Sequence, residues 1–121
     1  MAFPETKVNP TIYQIIRMAF DVTLRVIKSA NPFATATNTR PTVTTTSSII
    51  LASNTSRKSA IIFNQSGGVI YIKLGATAVA NEGIRLPNNE KYEINSTNLF
   101  IGNIHAIRGA GSGQVDIAEG T

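Results

Sequence analysis

One histidine, seven carboxylates and no cysteine are the side chains from which this chain of 121 residues could build catalytic chemistry. His105 stands in Ile104-His105-Ala106-Ile107. A general base needs a reacting group held against it and a third group to orient it. Nothing beside His105 supplies either, so it reads as a surface or interface histidine. Glu90 and Glu93 flank Lys91-Tyr92, with Glu82 upstream. Glycoside hydrolysis needs two carboxylates across one cleft, but successive strand side chains alternate between faces, which separates 90 from 93. They read as solvated edge charges, as do Asp116 and Glu119. The lack of cysteine removes disulfides, thiolate nucleophiles and sulfur-based metal cages. No catalytic, cofactor-binding or metal-binding residue is assigned, no cofactor is expected, and the chain does not read as an enzyme.

Two further stretches imitate known sites. Gly109-Ala110-Gly111-Ser112-Gly113 has the composition of a phosphate loop, but such a loop must open a helix, where free N–H groups converge on the anion. The residues that follow, Gln114-Val115-Asp116-Ile117, read as a strand, and the glycines as a flexible hairpin connection. Thr42-Val43-Thr44-Thr45-Thr46 is too short for a flat threonine array and reads as a strand with a solvated threonine face. The eight aromatic residues are spread one per element, whereas stacking platforms gather several on one face.

Charge narrows the partners. Lysine and arginine number 11 against 7 acids, giving +4. Residues 1–41 hold +3 of this and residues 42–121 only +1, with Arg57-Lys58 the one adjacent basic pair. Nucleic-acid modules show a basic stripe interleaved with aromatics; here the charges are scattered, and no nucleic-acid partner is expected. Met1–Glu5 lacks a cationic leader and no apolar run is long enough to span a bilayer, so synthesis in the cytoplasm and no membrane partner are expected. Charged residues are only 15%, against about 25% in ordinary domains. Thr, Asn and Ser fill their place with 34 of 121 residues.

The elements fall into two groups, 1–41 and 42–121. Asn9-Pro10 is a helix start, a side-chain cap followed by a proline whose missing N–H costs nothing. From there Gln14, Arg17, Asp21, Arg25 and Lys28 fall in one polar stripe at helical spacing. The rest of the cylinder is mostly apolar. Residues 10–20 read as helix; over 21–28 the alternation Asp21-Val22-Thr23-Leu24-Arg25-Val26 competes as a strand. So wide an apolar surface needs cover on several sides, which makes Ile12, Ile16, Phe20, Leu24 and Ile27 the candidate oligomer or anchor interface. Residues 31–41, with two prolines and no period, read as an extended arm.

From Thr42 onward the pattern is β throughout. Strands are expected at Thr42–Thr46, Ser48–Ala52, Ser59–Asn64, Val69–Leu74, Gly83–Leu86, Lys91–Ile94, Leu99–Ile101, Ile104–Arg108 and Gln114–Ala118. The strands at 59–64 and 69–74 read as a hairpin through Gln65-Ser66-Gly67-Gly68. Short strands at this spacing predict a mainly β chain: a compact antiparallel β-sandwich or jelly-roll-like domain, preceded by the helical segment and arm.

Within this domain Ile49-Ile50-Leu51-Ala52-Ser53-Asn54, then Arg57-Lys58-Ser59-Ala60-Ile61-Ile62-Phe63-Asn64, then Val69-Ile70-Tyr71-Ile72-Lys73-Leu74-Gly75 resemble the small β-sandwich structural proteins of tailed-phage virions. Ile107-Arg108-Gly109 and Gly113-Gln114-Val115-Asp116 are similar too, and the resemblance covers roughly residues 42–119. It implies a virion component that is not an enzyme: a capsid cement or decoration protein or head-fibre base, held as a homo-oligomer, trimer favoured, on the major capsid protein or another virion protein. A tail, baseplate or fibre module binding a carbohydrate or a neighbouring virion protein is the alternative. No catalytic residues come with the family.

Overall fold

The computed structural model describes residues 32–121. The helical reading of 10–28, with the interface set Ile12, Ile16, Phe20, Leu24 and Ile27, lies outside the described residues. Within them the chain forms nine strands: β1 (Ala36–Thr39), β2 (Thr42–Val43), β3 (Ser48–Leu51), β4 (Ser59–Asn64), β5 (Ile70–Leu74), β6 (Ile84–Leu86), β7 (Lys91–Ile94), β8 (Ile104–Arg108) and β9 (Gly113–Gly120). They make two antiparallel sheets, consistent with a sandwich. One runs β1-β9-β4-β7, with β2 also paired to β9; the other runs β3-β8-β5-β6.

The period-2 alternation positions every strand. In β4, Ala60, Ile62 and Asn64 are buried while Ile61 and Phe63 turn outward. In β5 and β8, Ile70, Ile72, Ile104 and Ala106 are buried, and Tyr71, Lys73, His105 and Ile107 turn outward. The inward residues meet in one core, to which Val43, Leu86, Ile94, Val115 and Ile117 also belong. Only β5 and β6 are consecutive strands of one sheet joined as a hairpin. Around that tip lie the pairs β4–β7, β3–β8 and β2–β9 in turn. From β2 to β9 the described residues thus form a long two-stranded ribbon, and the pairs β4–β9 and β5–β8 join its successive turns.

This topology corrects the hairpin expected between β4 and β5. The two strands lie in different sheets, so Gln65–Gly68 is a crossing. A local pattern of alternation, glycine, alternation is common to both arrangements; the buried side chain of Asn64 selects the crossing. Its Nδ2 donates to the carbonyls of Gly68 and Leu86, both at 2.8 Å, and its Oδ1 accepts from Ser66 N at 2.9 Å. Gly67 supplies the turn with φ +86°, a region that side chains disfavour. Gly109–Ser112 likewise joins β8 to β9 across the two sheets and is not a hairpin.

Three other expectations change. The extended stretch 32–41 belongs to the β unit: that compact unit begins at Pro32 rather than at Thr42, and Ala36–Thr39 pairs along Ile117–Gly120. All four β1 side chains are exposed, so β1 is held by its backbone and leaves no apolar period to read. The threonine strand stops at Val43, and Thr44 closes a side-chain turn, its Oγ1 accepting from Thr46 N at 3.1 Å. Leu99–Ile101 forms no strand; Leu99 and Ile101 are exposed and Phe100 packs on the core.

Candidate assembly surfaces

Glu119 is not the solvated edge charge the sequence implies, because it pairs with a buried arginine. Arg57 sits in the link from β3 to β4, 1% exposed, and its Nε donates to Glu119 Oε2 at 2.6 Å. The remaining guanidinium donors reach the carbonyls of Phe100 and Gly102, at 2.7 and 3.1 Å, and that of Ala52. Asn54 Nδ2 donates to the other carboxylate oxygen at 3.2 Å. A buried charge persists only when paired and fully hydrogen-bonded, and this one is. Glu119 lies on β9 of the first sheet, and Phe100 and Gly102 lie in the link leading to β8 of the second, so Arg57 ties the sheets at one end of β4. Asn64 ties them at the other end. Among the described residues, no buried side-chain nitrogen or oxygen lacks a partner.

With the interior closed in this way, what can meet another molecule is the outside of each sheet. On β1-β9-β4-β7 the register places Ala118 between Asn38 and Ile61, and Asp116 beside Phe63. Glu93 stands opposite Ile61 and Lys91 opposite Phe63 on the edge strand β7. Ile61 is 37% exposed. Phe33, 49% exposed, lies over Gly120, where a Cβ would collide with its ring. A groove of about 450 Å³ runs between Asn38–Arg40, Ile61, Phe63 and Asp116–Ala118. The charges on the outward rows are matched: Arg40 Nε lies 3.2 Å from Asp116 Oδ1 at the β1 rim, and Lys91 Nζ lies 3.7 Å from Glu93 Oε2 at the β7 rim. Exposed pairs of this kind contribute little to stability, but they leave the outward rows of these strands without net charge.

On β3-β8-β5-β6 the outward rows are Ile49–His105–Lys73 and Ile107–Tyr71–Arg85. Neither Lys73 nor Arg85 has an ion pair among the described residues. Tyr71 donates its hydroxyl to Asn81 Oδ1 at 2.9 Å. Glu82 and Glu90 sit on loops outside the strands, and no three His, Asp or Glu side chains converge among the described residues.

The outward apolar face was missed by counting elements. Its signal is in Ala60-Ile61-Ile62-Phe63: a strand covered on one face alternates, whereas one with apolar residues on both faces reads as a continuous run. Compared with protein-family models, with curated proteins and with solved structures, the chain matches none.

Proposed function

We propose that this chain is a non-enzymatic structural protein of a phage virion, a capsid cement or decoration protein that binds the head shell as a homo-oligomer, with three copies favoured. The observation that carries it is the neutral apolar face of β1-β9-β4-β7. Ile61 is still 37% exposed and Phe63 half-buried, so a cover gains a part of the about 1.5–3 kcal/mol that burying such a side chain from full exposure is worth. In a ring of three, each copy meets its two neighbours through opposite rims of the face. The β1 rim offers Arg40 and Asp116, the β7 rim Lys91 and Glu93. Each rim holds both signs, so neighbouring rims exchange partners without repulsion.

The nested pairing β5–β6, β4–β7, β3–β8, β2–β9 supports reading the sandwich as a jelly roll, an architecture used in viral shells. The resemblance over 42–119 points the same way. Ile12, Ile16, Phe20, Leu24 and Ile27 are proposed as a second set of contacts between copies or to the shell. Mass spectrometry of purified virions of the phage encoding the chain tests the reading. It predicts this chain among the particle proteins, in proportion to the shell protein; particles without it overturn the proposal.

A further inference from the structure

The other outer face carries a different message. Lys73 and Arg85 lie on adjacent strands in diagonal positions, since Arg85 stands opposite Tyr71. Such positions are about 7–8 Å apart. His105 stands directly opposite Lys73. No carboxylate lies on any of the four strands, β3, β8, β5 or β6. The face is also apolar: Ile49 is 50% exposed, with Ile107 and Tyr71 beside the cations. At its end a shallow pocket of about 270 Å³ is lined by Val69, Tyr71, Arg108, Gly109 and Ala110.

We infer that this face docks onto an acidic protein surface, with carboxylates meeting Lys73 and Arg85 and an apolar side chain seated against Ile49 and Ile107. A second copy of the same face does not fit, because cations would meet cations with no carboxylate on the strands of either copy to separate them. A nucleic-acid backbone would satisfy the cations but leave the apolar half of the face uncovered. Tyrosine and arginine around an apolar centre are the composition of protein interfaces. The inference is independent of the contact between copies proposed on the opposite sheet.

The test titrates the isotopically labelled full chain with three probes, read by amide chemical shifts. They are a peptide of alternating glutamate and leucine, the same peptide with glutamine for glutamate, and a DNA duplex of mixed sequence. Expected are shifts at Tyr71, Lys73, Arg85 and His105 with the glutamate peptide, and binding about tenfold weaker for the glutamine peptide. The Lys73→Glu, Arg85→Glu double variant should lose binding to the same degree, and Lys73→Gln, Arg85→Gln serves if that variant folds poorly. No shift at millimolar peptide, shifts confined to the opposite sheet, or tighter binding of the duplex at these residues overturns the inference.

Discussion

The outward rows of β1-β9-β4-β7 hold Asp116, Lys91 and Glu93, and with Arg40 at the rim each of these charges has an opposite partner. The outward rows of β3-β8-β5-β6 hold Lys73 and Arg85, which have none among the described residues. Both faces expose apolar side chains of similar size, Ile61 and Phe63 on one, Ile49 and Ile107 on the other. The chemistry of what can cover them therefore differs by charge and not by hydrophobicity. A copy of the chain suits the neutral face; a foreign acidic surface suits the cationic one. On the proposed reading, contacts between copies and contacts with a foreign surface would be kept on opposite sides of one core.

That comparison depends on the closures holding the sheets back to back, so the largest effect is expected there. Arg57→Ala leaves Glu119 Oε2 and several carbonyls without their arginine donor. Loss of one partner of a buried pair costs about 3–5 kcal/mol, enough to lower the urea midpoint sharply and to remove both faces at once. A loss below about 1 kcal/mol would show that this end is held by something else. Asn64→Ala at the opposite end leaves the carbonyl of Leu86 and the amide of Ser66 without this partner, each unmade bond costing about 1–3 kcal/mol, while the Gly68 carbonyl keeps the Ser66 hydroxyl as donor. Its denaturation curve should lie below that of the parent chain by an amount comparable to the loss in Arg57→Ala.

Smaller effects on folding, but selective ones on assembly, separate the faces. Ile61→Lys places a charge in the middle of the neutral face, opposite Glu93, which offsets its cost in the lone chain. Light scattering should show a lower mass with the fold intact by circular dichroism; an unchanged mass moves the contact between copies elsewhere. Lys73→Gln with Arg85→Gln should leave both the mass and the stability unchanged, within about 0.5 kcal/mol by chemical denaturation. If the double variant lowers the mass, the division of labour between the faces is wrong.

Much of this frame was legible in the sequence, and the parts that were not share a cause. Ser59–Asn64, Lys91–Ile94 and Ile104–Arg108 fall where alternation places them, because one buried face imposes period 2. β1 was invisible, since a strand held only by its backbone needs no particular side chains. The crossing at Gln65–Gly68 and the pair Arg57–Glu119 depend on partners distant in the chain: Leu86 lies 22 positions from Asn64, and Glu119 lies 62 from Arg57. A local pattern carries turns and faces, not which sheet a strand joins. The same limit governed the site. The cations of β5 and β6 and the apolar residues of β4 could be read singly, but their gathering on opposite faces is a property of register between strands.

The most direct measurement of the central claim, that this is a module built to assemble with its own copies, is the mass of the full chain in solution at micromolar concentration. A single chain weighs 12.9 kDa. The account predicts a stable whole-number multiple of that mass, with three copies favoured, that falls on Ile61→Lys. A clean species of one chain across the concentration range would contradict it.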